Sequence, residues 1–250
     1  MLSQEEEWLL KEGFQGEKSE AFFASVQKLK SGTPLAYLIG YTPFLNCQIF
    51  LDSKPLIPRP ETEFWAEKVI IEINDLSKTT NRTIDVLDLC AGSGCIGVAV
   101  AKNCPSVKAH FSELEEAHLK TIEKNCRENN IQKNRYKIHQ SDLFTKLPKI
   151  KYDLILSNPP YIDKKLNRAE KSVVENEPEL ALFGGKDGME VIGKIITRAP
   201  DYLKQNGELW LEHEPEQTED IKVLASKNNF KFHNHKDQYG VERFSQLVVQ

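Results

Sequence analysis

From residue 83 onward, short apolar runs alternate with longer amphipathic stretches. Strand candidates, some apolar throughout and some mixing apolar with polar positions, fall at 83–89, 107–112, 135–140, 152–157, 207–212, 230–235 and 243–249. Their length and branched or aromatic content predict buried strands. Residues 94–102, 115–130, 188–204 and 215–228 between them predict helices. Such alternation predicts a mostly parallel sheet covered on both faces. The last two runs are separated only by Lys236 to Glu242. That is too short for a crossover, so they must be antiparallel neighbours. Upstream, residues 3–12 and 19–30 read as helices capped by Ser3 and Ser19. Ser31-Gly32-Thr33-Pro34 closes the second helix. Residues 35–51 mix aromatic and β-branched positions around Thr42-Pro43 and Asn46, predicting a short hairpin. After the stiff stretch Pro55 to Pro60, Glu61-Thr62-Glu63 opens a helix reaching about Asn74. Residues 1–52 therefore form a helical segment and hairpin too small to bury a core alone, and 53–250 an α/β domain.

Composition narrows the function classes. Of 250 residues, 40% are hydrophobic and 28% charged, with a net charge of −4. This is the balance of a soluble globular protein, and it supplies no general basic surface for nucleic acid, so stable nucleic-acid binding is not expected. The acidic start, Met1 to Glu7, lacks the apolar core of a signal peptide, and no apolar run could span a bilayer. A cytoplasmic protein without membrane attachment is expected. Five cysteines at 47, 90, 95, 104 and 126 form no CxxC pair. Reduced thiols are expected, with neither disulfides nor a metal site. His213-Glu214 has no second histidine at zincin spacing, and Pro215 breaks the helix such a site needs. His233 and His235 share one strand face and are expected to be exposed.

The chemistry concentrates at the ends of the strands. Asn158-Pro159-Pro160-Tyr161 follows the run 152–157, where open α/β sheets bind ligands. It joins an amide side chain, two residues without a backbone N–H and an aromatic ring. Those groups suit a planar –NH2 substrate, either an amide or an exocyclic base amine. Asp88-Leu89-Cys90-Ala91-Gly92-Ser93-Gly94 joins the first strand to a helix without a Walker lysine, and it is read as lacking a full GxGxxG triplet. Glycines there admit a ligand to the backbone. Asp88 suits a cationic ligand better than a phosphate, and S-adenosylmethionine carries an ammonium and a sulfonium. Glu113, about twenty residues on, is placed to accept ribose hydroxyls. Asp142 could take an adenine amino group, with Leu143 against the ring. Lys164-Lys165 and Arg168 to Lys171 read as a solvated flap or a substrate-side loop that closes over the site.

Taken together, these features resemble the HemK-type protein-(glutamine-N5) methyltransferases, which modify class I peptide chain release factors. Four stretches carry the resemblance: Gly32 to Gly40, Ile57-Pro58-Arg59-Pro60-Glu61-Thr62-Glu63, Asn158 to Tyr161, and Glu177 to Gly188. The resemblance implies a class I S-adenosylmethionine-dependent methyltransferase fold, a Rossmann-like seven-stranded sheet with an antiparallel last strand. It implies methyl transfer to the glutamine of a GGQ motif, with S-adenosylhomocysteine as product and no metal. Cys90, Ala91, Gly92, Ser93 and Gly94 would wrap the methionine part, Glu113 the ribose and Leu143 the adenine. Asn158, Pro159, Pro160 and Tyr161 would take the substrate. The Asn158 oxygen and the Pro159 carbonyl would accept the amide N–H groups while Tyr161 packs on the amide plane. Residues 1–52 would recognise the protein substrate, and the chain would act as a monomer. The chain departs from the family in carrying Cys90 for glycine, Ala91 for threonine and Glu113 for aspartate. Only about thirty residues precede Gly32. An N6-adenine nucleic-acid methyltransferase, a ribosomal-protein glutamine methyltransferase and an idle cofactor-binding protein remain alternatives.

Overall fold

The computed structural model describes residues 2–80, 82–166 and 171–250. Seven strands form one sheet: β3 (Ile84–Leu89), β4 (Val107–Glu113), β5 (Tyr136–Gln140), β6 (Tyr152–Ser157), β7 (Leu203–Glu212), β8 (Phe230–Lys236) and β9 (Glu242–Val249). Their order is β5-β4-β3-β6-β7-β9-β8. β9 inserts antiparallel between β7 and β8, while β3 to β7 pair in parallel. This is the class I methyltransferase sheet. The alternation of side chains divides two cores. Leu154 and Leu156 of β6 face one and Ile155 the other; Trp210 and Leu209 of β7 divide the same way. Helices α4 (Pro60–Thr80), α5 (Cys95–Asn103) and α6 (Glu116–Glu128) lie over the first face, and α9 (Glu190–Arg198) and α10 (Thr218–Lys227) over the second.

At the N-terminus, α1 (Gln4–Trp8) continues as a π-helical turn, Leu9–Gly13, before α2 (Glu20–Lys30). Ser3 and Glu6 form a reciprocal capping box, and Ser19 caps α2 through the Phe22 N–H. Leu9, Phe22 and Val26 form a separate small core. The segment predicted as one hairpin begins instead with a short helix, α3 (Leu35–Ile39), ended by Gly40 at φ 93°. The hairpin itself is β1 (Tyr41–Phe44) and β2 (Cys47–Phe50). Grouped from sequence with the N-terminal helices, it is built into the first core of the sheet domain through Phe44, Cys47 and Ile49. Asn125 and Asn129 of the α6 region each bind it on both an N–H and a carbonyl.

Other boundaries also moved. The helix predicted over 188–204 ends at Arg198, followed by a 3-10 turn at Ala199–Asp201, and β7 already starts at Leu203. His233 and His235 are half-buried rather than exposed. His235 stacks on Trp210 and Phe244, with centroids 5.8 and 5.1 Å away. The Lys164–Lys165 stretch is exposed as expected. Lys171 begins a helix, α7 (Lys171–Asn176), and α8 spans Glu179–Leu182; Arg168 lies outside the described residues. Among the described residues no helix is long and apolar enough to cross a membrane.

Candidate active site

Strand order reverses at β3, which has β4 on one side and β6 on the other. A crevice therefore opens above the carboxyl ends of these three strands. The loop leaving β3 supplies its floor. Cys90 and Gly92 take left-handed backbone at φ 62° and 56°, and Gly94 caps α5 at φ 76°. Cys90 thus carries the strain a glycine would avoid. Burial pushes its thiol pKa up, so the sulfur stays protonated and acts as a small apolar wall.

Glu113, at the end of β4, is only 7% exposed. Its two oxygens accept the N–H of Gly92 at 2.7 Å and of Glu115 at 2.8 Å. A carboxylate has about four acceptor positions, so each oxygen keeps one for a ligand. Ser112 Oγ donates to the Leu143 carbonyl at 2.6 Å, holding Leu143 at φ 48°. The turn is capped by Ser141 Oγ, which accepts the Lys146 N–H; Asp142 is exposed on the cleft rim.

Two cavities meet at Asn158. The first, a cleft, is lined by Cys90, Ala91, Gly92, Ser93, Glu113, Asp142, Leu143, Asn158 and Pro160. The second, about 350 Å³, is lined by Asn158, Pro159, Tyr161, Arg59, Glu212, Arg243 and Val173 of α7. Asp88 and Gly94 line neither. Asp88 is 1% exposed beneath the loop, where its Oδ2 accepts the Gly97 N–H at 2.8 Å and Oδ1 has no partner. Burial pushes it up to about 8, so it largely keeps its proton near neutrality. The expected partner of a cationic ligand is instead a prop under the loop.

Several residues that shape the site drew no attention in sequence. Gly97 completes a GxGxxG spacing with Gly92 and Gly94, which corrects the reading of the triplet as absent. A Cβ there would lie 2.5 Å from the Phe111 ring, so the helix touches the strand only because no side chain intervenes. Glu212 is 1% exposed and accepts from Thr62 Oγ1, Trp65 Nε1 and Tyr161 Oη at 2.7, 2.7 and 2.9 Å. Burial raises its pKa against those three bonds. Tyr161, expected to pack on a substrate amide, has its hydroxyl tied to this carboxyl. Asn158 Nδ2 donates to Thr62 Oγ1 at 3.0 Å.

A protein-family model described as Methyltransferase small domain matches residues 71–177. The hMettl16 catalytic domain in complex with MAT2A 3'UTR hairpin 6 superposes with a TM-score of 0.63 at 16% identity, covering 82% of this chain and 76% of its own. A methyltransferase from Pyrococcus furiosus gives 0.51 at 21% identity, covering 72% and 81%. Both are similar in fold. The release factor glutamine methyltransferase of Streptococcus pneumoniae is 34% identical over 220 residues, 87% of this chain and 75% of its own. That of Borreliella burgdorferi is 32% identical over 241 residues, 96% and 80%. The chain belongs to the release factor glutamine methyltransferase family.

The stretches that resemble this family meet around the site. Tyr37 Oη donates to the Pro55 carbonyl at 2.6 Å, and Asn176 Nδ2 to that of Gly32 at 3.1 Å. Glu177 accepts the Ile57 N–H at 3.0 Å and Arg59 Nη2 at 2.6 Å. Gly184 and Gly188 lie so close to the backbone of Pro160 and Tyr161 that a Cβ would meet their carbonyl oxygens at 2.5 and 2.0 Å. Gln217 Nε2 fills the remaining bond to the Tyr161 carbonyl at 2.8 Å. A family motif in this chain is therefore a set of mutual braces around Asn158 to Tyr161.

Proposed function

We propose that this protein transfers a methyl group from S-adenosylmethionine to the side-chain amide nitrogen of a glutamine in a class I peptide chain release factor, at its GGQ motif. The observation that carries the reading is the position of Asn158, which walls both cavities at once. A group in the cleft and a side chain in the second cavity would meet there.

The cleft suits the cofactor. Cys90, Ala91, Gly92 and Ser93 offer close backbone approach, Glu113 spare acceptor positions for hydroxyls, and Asp142 and Leu143 an acceptor beside an apolar face. When bound, the cofactor supplies an electrophilic methyl on a sulfonium, whose departure as a neutral thioether needs no metal. The protein's task is to present the nucleophile. An amide nitrogen is weak because its lone pair is delocalised. The Asn158 Oδ1 and the Pro159 carbonyl each accept one N–H, which aims the nitrogen and favours the pyramidal geometry of the transition state. The second cavity is at the small end for ligand pockets and takes one side chain. The net charge of −4 disfavours a phosphate backbone as substrate, and a monomer suffices because both cavities are built from one chain.

The test is incubation with methyl-labelled cofactor and separate acceptors: release factor, ribosomal proteins, DNA and RNA. Label on the release-factor glutamine, located by mass spectrometry, is expected. Asn158→Ala should still bind cofactor and lose about a hundredfold in turnover, the effect of removing one preorganised polar group. Label on adenine instead would overturn the reading.

A further inference from the structure

We propose that Thr62 is a positioning residue: through Glu212 it sets which face of the Asn158 amide meets the substrate. This rests on the reading of Asn158 as the acceptor of the substrate N–H groups.

The donor and acceptor roles in this network all follow from one fixed point. The Trp65 indole N–H can only donate, and it donates to Glu212 Oε2 at 2.7 Å. Oε2 is therefore an acceptor. Thr62 Oγ1, also 2.7 Å from Oε2, gives its single proton to the same oxygen. Only lone pairs remain on Oγ1 toward Asn158 at 3.0 Å. The amide must then turn its NH2 to Thr62, since the flipped form would set two oxygens face to face with no proton between them. Oδ1, on the other branch, is left for the cavities that Asn158 lines. The order survives protonation of Glu212, because a proton on Oε1 would only reverse the bond to Tyr161 Oη.

The network is shut off from water where it is decided. Thr62 and Glu212 are each 1% exposed, and Trp65 is fully buried. Thr62 lines the cleft and Glu212 the second cavity, but so little of either is exposed that the Thr62 proton stays on Glu212. Thr62 and Asn158 are 96 residues apart in sequence, and Thr62 and Glu212 are 150 apart. A substrate amide needs acceptors and finds one. An Asn158 free to rotate would offer its own N–H groups half of the time, which repel those of the substrate.

Thr62→Val keeps the shape and removes the hydroxyl; Thr62→Ser keeps the hydroxyl. Methylation kinetics on a release factor and S-adenosylhomocysteine affinity are measured for wild type, both variants and Asn158→Ala. Thr62→Val is expected to lower kcat about tenfold or more, the scale of a misaligned reacting group, with cofactor affinity held within about twofold. Thr62→Ser should restore most of the turnover. Full kcat in Thr62→Val beside an impaired Asn158→Ala overturns the proposal and leaves the activity intact. Equal losses in the valine and serine variants overturn it too, as does a fall in cofactor affinity that accounts for the lost turnover. A wild-type protein that leaves release-factor glutamine unlabelled overturns the activity and this proposal with it.

Discussion

Replacing Gly97 by alanine should destabilise the protein although alanine is the better helix former. Gly97 lies in α5 against β4, and the added Cβ would sit 2.5 Å from Phe111 Cε1 and 3.0 Å from Asp88 Cβ and Oδ2. Phe111 is fully buried, and its ring already closes on Gly94, where a Cβ would find it at 3.3 Å. It has nowhere to retreat, so the helix must lift. Lifting stretches the 2.8 Å bond from the Gly97 N–H to Asp88, whose other oxygen has no partner. The helix propensity gain is about 1 kcal/mol. Overpacking costs about 1–3 kcal/mol and the strained buried hydrogen bond about 1–3 kcal/mol more. A net loss of about 1–5 kcal/mol follows, which lowers Tm by roughly 2–4 °C per kcal/mol in a chain of this size. The glycine loop rides on this helix start, so S-adenosylhomocysteine should also stabilise the variant less than wild type. Thermal denaturation with and without S-adenosylhomocysteine checks both effects. A Gly97→Ala protein as stable as wild type, with the same ligand-induced shift, would refute the claim that this glycine is needed for helix–strand contact.

Glu113→Gln should weaken S-adenosylhomocysteine binding about tenfold or more, because an amide can accept from only one of the Gly92 and Glu115 N–H groups and sets its own NH2 against the other; calorimetry showing unchanged affinity would remove Glu113 from the site. Stability should fall with acid earlier than carboxylates alone require. His213 is fully buried, donates from Nδ1 to the Glu214 carbonyl at 2.9 Å and accepts the Ser245 hydroxyl on Nε2 at 2.7 Å. Burial pushes its pKa from 6.5 down to about 4, against the Glu214 bond and with help from Arg243. Between those values the unfolded chain binds a proton that the folded chain refuses, so stability present above pH 6.5 drains away toward pH 4, by about 3 kcal/mol at most. Denaturation midpoints measured across that range, flat for wild type, would contradict the buried neutral tautomer.

The strands were legible because burial on two faces leaves a direct mark. Tyr152 to Ser157 is buried at every position, and a run with no polar face can only be a central strand or a core helix. Ligand chemistry was legible because an α/β sheet gathers it at strand ends, so Glu113 and Asn158 announce themselves by where their strands stop. Short elements were not. Leu35–Ile39 is helical for five residues on the strength of packing against the first helices, and its aromatic and branched composition reads equally well as strand. Lys204-Gln205-Asn206-Gly207 has the composition of a turn, yet it runs inside β7 through a register shift opposite Tyr152 and Leu154, with Asn206 at φ 59°. The larger gap lies in pairings between distant segments. Glu177 and Arg59 are 118 residues apart, and neither they nor the Thr62 bonds to Asn158 and Glu212 follow from a local pattern. A periodicity reports which face of an element is buried. It carries no information on which hydroxyl donates to which carboxyl once two elements meet, because that is set by distances of a fraction of an ångström that only the packed structure fixes. The sequence alone thus determined the sheet, the crevice and the residues at its rim, and tertiary packing decided how Thr62, Trp65 and Glu212 orient the amide among them.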